Sequence, residues 1–278
     1  MKITDSVLCV LSDMHTGSST ALFPRKGFVN FDNNLILPNA TQRAIHAVFV
    51  RLAGEIKVAR KKKRLILVVL GDAIDGFHHG SMQESLFREQ DQAAAHIELI
   101  QEFQKCTGWK PDDELYYVRG TFTHVKDIEN EIAKELKAKP DRAAKKYVHE
   151  ILELNINGCL NLFYHHGKAR GNGENEGNAL RNYLRDIRVN RQRDGLPRAD
   201  VSWSGHTHGH IYDSHNRRTG AGTHTFHGII CPSFQAKTQY ALEKVPMQVN
   251  SIGGVSTTIS AAGEFTAPPR FVVQTTRD

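Results

Sequence analysis

Leu65-Ile-Leu-Val-Val-Leu-Gly-Asp-Ala-Ile-Asp-Gly-Phe-His-His-Gly80 joins an unbroken apolar run to a cluster of aspartates and histidines. A continuous apolar run of this length, ended by a turn signal, predicts a strand that is buried on both faces. The polar cluster that begins at Asp72 then lies where this strand leaves its sheet. Open α/β folds bind their ligands at such strand ends. The segment therefore predicts both a central strand and the position of a functional site.

The segments on either side of this strand extend the same pattern. Strands are predicted at residues 6–11 and 115–118. One helix is predicted after Thr41, and a second helix is predicted to begin at a capping pair formed by Ser81 and Glu84. Alternating strands and helices are typical of parallel sheets. Residues 148–156 and 159–164 flank Asn157-Gly158, the preferred pair for a hairpin turn. Without a linker segment, residues 1–278 are expected to form a single α/β domain that contains two sheets.

Polar clusters follow most of the predicted strands. They are Asp13 and His15, Asp72 and Asp75, Thr121 and His124, His165 and His166, and His206 and His208. Because strand ends meet at one edge of a sheet, these side chains are expected to converge on one pair of metal ions next to Asp72. Mixed carboxylate and imidazole donors suit manganese, iron, zinc or nickel. Of these, manganese is the expected ion. The scattered cysteines argue against a structural zinc site.

The composition of the 278 residues is typical of an ordinary soluble globular protein, and the chain has a net charge of +6 and a pI of about 9.1. This charge favours anionic partners, and basic residues cluster at 57–64 and on the helical face of Arg181, Arg185 and Arg188. A solvated surface is the alternative for both clusters. No apolar stretch long enough for a membrane span and no signal peptide are evident, so a cytoplasmic location in a bacterial or phage-infected cell is expected.

The ordered clusters resemble the motifs of the calcineurin-like metallophosphoesterase superfamily, D-x-H, G-D-x-x-D, G-N-H-[DE], H-G and G-H-x-H. Four of them stand here as Asp13-Met-His15, Gly71-Asp-Ala-Ile-Asp75, His166-Gly167 and Gly205-His-Thr-His208. The resemblance implies a four-layer αββα sandwich of two mixed sheets with a dinuclear metal site at the strand ends. It also implies hydrolysis of a phosphoester by a hydroxide that bridges two metal ions.

The resemblance assigns roles to individual residues. Asp13, His15 and His208 would bind the first metal, Asp72 would bridge both, and His166 and His206 would bind the second. Asp75, Arg119 and His165 would support the site. The third motif departs from the family, because Gly120-Thr-Phe-Thr-His124 replaces Gly-Asn-His, as in phage- and prophage-like members. Thr121 is then predicted near the second metal and His124 as the general acid.

The substrate is less constrained than the reaction. Phosphoprotein phosphatases of this superfamily carry an arginine after the second aspartate, where this chain has Gly76. Together with the basic charge, this favours a phosphodiesterase or nuclease acting on nucleotides or nucleic acid. A phosphomonoesterase of small molecules and a non-catalytic binding module are the alternatives. His78, His79, Lys168 and Arg170 are the predicted substrate contacts, with solvated loop positions as the alternative for each.

Overall fold

The structure is a computed structural model that describes residues 4–77, 84–125, 127–167, 177–220, 222–238, 243 and 250–275. Its first sheet has six strands in the order β13-β12-β1-β4-β5-β6. Strands β1 (Ser6–Ser12), β4 (Arg64–Leu70), β5 (Glu114–Val118) and β6 (Val148–His149) are parallel. Strands β12 (Ser251–Ile259) and β13 (Arg270–Thr275) add to the β1 edge in antiparallel orientation. As predicted, the apolar run at 65–70 forms a central strand.

The second sheet has five strands in the order β10-β11-β9-β8-β7. It contains β7 (Leu152–Ile156), β8 (Cys159–His166), β9 (Val201–Gly205), β10 (Ile211–Thr219) and β11 (Gly222–Ile230). A separate two-stranded ribbon consists of β2 (Phe28–Val29) and β3 (Leu35–Ile36). The sheets are mixed, since β8 pairs with β9 in parallel and with β7 in antiparallel orientation.

Alternate residues of the strands point to opposite faces of the sheets, and both faces are buried. The two sheets and the helices on their outer faces therefore form four layers. In β4, Leu65, Leu67 and Val69 belong to the core cluster that includes helices α1 (Ala40–Arg60) and α2 (Glu89–Thr107). Ile66, Val68 and Leu70 belong to the cluster that includes Phe163 and Trp203 of the second sheet. Helix α5 (Asn178–Arg193) covers the outer face of that sheet through Leu180 and Leu184. The predicted αββα sandwich is confirmed.

Two local predictions were wrong. The second helix begins at Glu89 rather than near Ser81, and Arg88 caps it without a side-chain hydrogen bond. Ser81 lies outside the described residues, and Glu84 instead forms a bridge with Ser18. The predicted strand at 148–156 is two strands in different sheets, because the chain leaves the first sheet after His149. The predicted hairpin is confirmed, with positive φ at Asn157 and Gly158.

The remaining helices are short, α3 (Phe122–Val125) and α4 (Ile128–Glu135), and both follow β5. Across the described residues, no helix combines the length and the apolar character needed to traverse a lipid bilayer. All four cysteines are free thiols, and Cys9, Cys159 and Cys231 are buried.

Candidate metal centre

The backbone at the ends of β1, β4 and β9 has an unusual conformation. Positive φ angles between 43° and 69° occur at Asp13, His15, Asp72, His206 and His208. Non-glycine residues rarely adopt this region, and such backbone strain persists mainly at functional sites, where the surrounding structure holds it. The loops after β1 and β4 also remain hydrogen-bonded to each other, through Asp13 N to Gly71 O and His15 N to Asp72 O. These turns aim the polar side chains into one region.

The first predicted metal group is assembled. Asp13, His15 and His208 each place a donor atom within 4.8 Å of the others. His15 Nδ1 donates to Asp75 Oδ1 at 3.0 Å, and Gln235 Nε2 donates to the same oxygen at 3.2 Å. A carboxylate that fixes one ring nitrogen in this way is typical of metal-binding histidines. Asp75 therefore lies where a supporting residue is expected.

Asp72 lies between the groups, as its predicted bridging role requires. It forms one group with His15 and His124 and another with Asp13 and His165. Thr121 holds it from one side, through backbone N to Oδ1 at 2.5 Å and Oγ1 to Oδ2 at 3.2 Å. Gly120 permits this approach, because a Cβ at that position would collide with the Asp72 backbone. The Thr121 hydroxyl thus contacts the predicted bridging carboxylate.

The second group contains three histidines. His165, His166 and His206 place one ring nitrogen each within 4.8 Å of the others. Regular strand alternation would turn His165 and His166 to opposite faces, but the pairing of β8 with β9 is irregular between Tyr164 and His166. His166 and His206, the predicted ligands, have ring centroids 4.4 Å apart. This irregularity brings both neighbouring histidines into one group.

His165 occupies a more central position than a supporting role suggests. It is buried, its Nδ1 donates to Leu70 O at 3.0 Å, and its Nε2 lies 3.1 Å from Asp72 Oδ2 and 3.8 Å from Asp13 Oδ1. A histidine whose second nitrogen is bound to a backbone carbonyl has the arrangement of a metal ligand. The motif assigned the ligand role to His166, which directly precedes Gly167, and the central position of His165 is visible only in the structure.

His124 lies against the first group. Its ring centroid is 4.9 Å from that of His15, and Nδ1 donates to the Asp75 backbone oxygen at 2.8 Å. Arg119, a predicted supporting residue, donates from Nε to Glu150 Oε1 at 2.6 Å, and its Nη1 lies 3.8 Å from Asp127 Oδ1. His78, His79, Lys168 and Arg170 lie outside the described residues.

The electrostatics of the centre favour a bound cation. Burial alone would raise the pKa of Asp72 and Asp13, but neighbouring histidines outweigh it and hold both pKa values far below their usual range. Burial opposes protonation of His165, yet Asp72 and Asp13 raise its pKa to about 10. Burial and His165 lower the pKa of His166 and His206, which favours the neutral imidazole that binds metal.

The residues fit divalent metal ions. His15 Nε2 is buried without a hydrogen bond and lies 3.7 Å from Asp72 Oδ2. A buried nitrogen without a partner is costly unless something else satisfies it. Two buried aspartates and six neighbouring histidines supply the donor types that Mn, Fe, Zn and Ni accept. These groups, in which His166 and His206 are exposed, can bind metal ions.

Glu129 was not predicted, although it supports the centre. This buried side chain accepts from Ala73 N at 3.1 Å and Gly120 N at 2.9 Å, so one carboxyl group spans the turns on both sides of Asp72. Burial raises its pKa to about 7. Glu129 lies on α4 with no motif around it, so only the tertiary contact identifies it.

Acid is expected to destabilise the fold through His96, which links the first strand end to β5. His96 is buried and contacts Thr16 Oγ1 at 3.2 Å and Tyr117 OH at 2.9 Å. Burial lowers its pKa from 6.5 to about 3, so the unfolded chain takes up a proton that the folded chain does not. The contribution of His96 to the free energy of unfolding is complete about one pH unit above 6.5, and it falls by about 2 kcal/mol between pH 7.5 and 5.

Urea unfolding of chelator-treated protein at these two pH values measures the effect. His96→Gln keeps a hydrogen-bonding side chain that does not titrate, so its stability should fall less with acid than that of the wild type. An identical pH dependence in both proteins would contradict the role of His96.

Comparison with known proteins adds little to this geometry. No family model and no curated protein matches the chain. Among solved structures, it is similar to the Thermotoga maritima protein TM1076, with 12% identity, a TM-score of 0.36 and coverage of 98% of this chain and 99% of that one. It is also similar to the Thermus thermophilus sulfate thiohydrolase SoxB in complex with glycerol, with 10% identity and a TM-score of 0.39. That match covers 97% of this chain and 56% of SoxB. Scores this low assign neither family nor function, which are therefore argued from the site.

Proposed function

We propose that this chain is a phosphoester hydrolase that depends on two divalent metal ions, and specifically a phosphodiesterase or nuclease. One observation carries the proposal. Four overlapping groups of aspartate and histidine converge at the ends of adjacent strands. Each of four residues belongs to two of these groups, namely Asp13, Asp72, His15 and His165. The sequence order of these residues resembles the calcineurin-like metallophosphoesterases, which supports the same reaction.

The residues divide into two sets around Asp72. Asp13, His15 and His208 would hold one ion, and His206, His166 and His165 would hold the other. When bound, such a pair of ions activates water at neutral pH and neutralises charge on the phosphoryl group. The chain itself orients His15 through Asp75 and holds Asp72 through Thr121.

His124 would protonate the leaving oxygen of the ester. A carbonyl oxygen only accepts, so the contact with Asp75 O places a hydrogen on Nδ1 and leaves Nε2 as the nitrogen that exchanges a proton. His124 also lies close enough to Asp72 to help lower the pKa of that carboxyl group.

Replacing His124 by alanine should affect substrates according to their leaving groups. An alkoxide needs a proton as it departs, and general acid catalysis contributes about 10²–10⁴-fold. Nitrophenolate leaves without this help, so His124→Ala should lower kcat for alkyl phosphodiesters by about 10² and for nitrophenyl esters much less. Equal losses on both substrates would exclude the acid role and indicate that His124 only shapes the loop.

Two features around the centre support a nucleotide substrate over a phosphoprotein. Gly76 leaves no room for an arginine, because a Cβ there would collide with the His124 carbonyl. Phe122 follows Thr121 and is 66% exposed, and Phe77 follows Gly76 and is 43% exposed. Exposed aromatic rings provide stacking surfaces for bases.

Phe122→Ala is therefore expected to weaken binding of a single-stranded oligonucleotide. Loss of one base stack costs about 1–3 kcal/mol, which corresponds to a KM about 5- to 150-fold higher. Phe87, which is 65% exposed and precedes α2, offers a matched control variant, Phe87→Ala. Equal KM values for Phe122→Ala and the wild type would contradict stacking at this position.

One assay separates the possible activities. Turnover of bis-nitrophenyl phosphate and of nitrophenyl phosphate is compared in the presence of Mn²⁺. Preference for the diester supports the proposal, and preference for the monoester indicates a phosphomonoesterase. Absence of both activities in protein that binds metal would indicate a non-catalytic binding module.

A further inference from the structure

A cavity lined by several arginines lies on the outer face of the second sheet, away from the metal centre. Its volume is about 510 Å³, within the range of small-molecule sites. The last turns of α5, the segment that follows it, and the β10–β11 hairpin enclose it. Its lining includes Arg188, Arg191, Arg198, Arg217, His224 and Phe226.

The direction of the strands shows that the two sites are separate. Strand β9 begins at Val201 and ends at Gly205, next to the metal-binding histidines. His227 pairs with Val201 in parallel, so His224 lies beyond the start of β9. The length of β9 alone separates the two ends by about 13 Å. The cavity is therefore at the opposite end of the sheet from the metal centre.

Three arginines of the cavity have no carboxylate partner among the described residues. Arg188 Nη1 contacts His215 Nδ1 at 3.0 Å, and Arg217 Nη1 donates to Gln192 Oε1 at 3.0 Å. Arg188 Nε is buried without a hydrogen bond. Burial and the nearby guanidinium groups of Arg217 and Arg198 lower the pKa of Arg188. This concentration of positive charge is unfavourable unless an anion compensates it.

Other arginines of α5 do have carboxylate partners. Arg181 donates to Asp213 at 2.8 Å, Arg193 donates to Asp194 at 3.1 Å, and Arg191 forms a bidentate pair with Glu153. Carboxylates thus neutralise Arg181, Arg193 and one arginine of the cavity lining, Arg191. Among the described residues, the other three arginines of the lining lack such a partner. The distribution indicates a binding site for an anion rather than a general basic surface.

The rest of the lining offers a second kind of contact. Phe226 and Ala199 are buried and provide an apolar wall. His224 Nε2 donates to Asp200 Oδ1 at 3.0 Å, which leaves its buried Nδ1 as an acceptor without a hydrogen bond. A ligand that satisfies all these groups combines a phosphate, a hydrogen-bond donor and a flat apolar part.

We propose that this cavity binds a small phosphomonoester of the nucleoside monophosphate type, with its phosphate on Arg188, Arg198 and Arg217. Guanidinium groups match phosphate oxygens in paired hydrogen bonds. The ring of the ligand packs against Phe226, and His224 Nδ1 accepts from it. This site is additional to the hydrolytic centre and does not depend on its activity.

Calorimetric titration of the full chain tests the proposal. Inorganic phosphate, adenosine monophosphate and a single-stranded oligonucleotide serve as probes, with chelator present so that no metal holds them at the other centre. The wild type should bind one equivalent of adenosine monophosphate, more tightly than inorganic phosphate. Arg198→Gln and Arg217→Gln should each weaken this binding about tenfold or more, because each removes a charged hydrogen bond. Both arginines are exposed, so folding should be preserved.

Matched controls lie on the same helix. Arg181→Gln and Arg193→Gln also remove one positive charge each, but outside the cavity, and should bind like the wild type. Equal weakening in cavity and control variants would reduce the effect to net charge and overturn the proposal. Absence of binding by both small probes would overturn it as well, and oligonucleotide binding in that case would assign the arginines to a nucleic-acid surface.

Discussion

Asp72→Asn is expected to lower phosphodiester hydrolysis by about 10³-fold or more and to reduce bound metal. Metal-ion catalysis supplies several kcal/mol of barrier lowering, and each 1.36 kcal/mol corresponds to a factor of ten. Asp72 is the carboxylate that joins the groups, since it lies near His15 and His165 and accepts two hydrogen bonds from Thr121. Asparagine has the same shape but carries no charge, so it is a weak ligand between two cations.

Asp75→Asn is the matched control for this substitution. Asp75 is also buried and acidic, but it orients His15 rather than lying between the groups. Loss of such a supporting contact costs about 10- to 100-fold in activity or metal affinity. Metal content by plasma emission spectroscopy and turnover with Mn²⁺ distinguish the two variants. Turnover of Asp72→Asn near that of the wild type would exclude the proposed centre.

His165→Ala should have an effect of similar size, a loss of about 10³-fold in turnover together with about one equivalent of metal. The expectation rests on geometry that the motif alone does not contain. Nδ1 is bound to Leu70 O, and Nε2 lies between the carboxylates of Asp72 and Asp13. If His165 only supported the site, its loss would cost about 10- to 100-fold and leave the metal content unchanged.

The pH dependence of metal binding provides an independent measurement. Without metal, Asp72 and Asp13 raise the pKa of His165 to about 10, so the ring is protonated at neutral pH. A metal that takes this position displaces the proton, and its affinity should rise with pH more steeply in the wild type than in His165→Ala. His149→Ala, which removes a histidine bound to Lys139 O at the neighbouring strand end, is the control. Identical pH slopes in His165→Ala and the wild type would contradict a ligand role.

Much of the framework follows from local patterns. The apolar run at 65–70, the hairpin at Asn157-Gly158 and the order of the polar clusters predict the layers and the location of the centre. The start of α2 was misplaced, because Ser81 and Glu84 fit a capping pattern whereas the helix begins five residues after Glu84 at Glu89. Residues 148–156 were predicted as one strand rather than two, because the alternation of apolar and polar residues does not show which sheet a strand joins.

The sequence alone identified which residue types gather at the strand ends, because burial periodicity and turn residues are local properties. Only the tertiary structure revealed the central position of His165, since the irregular β8–β9 pairing determines which ring is buried against Asp72. The same holds for Glu129, whose carboxyl group connects two turns that are far apart in the chain. It also holds for the arginine cavity, where the position of each carboxylate decides which guanidinium groups remain uncompensated. Such contacts depend on distances between segments, and no local pattern encodes them.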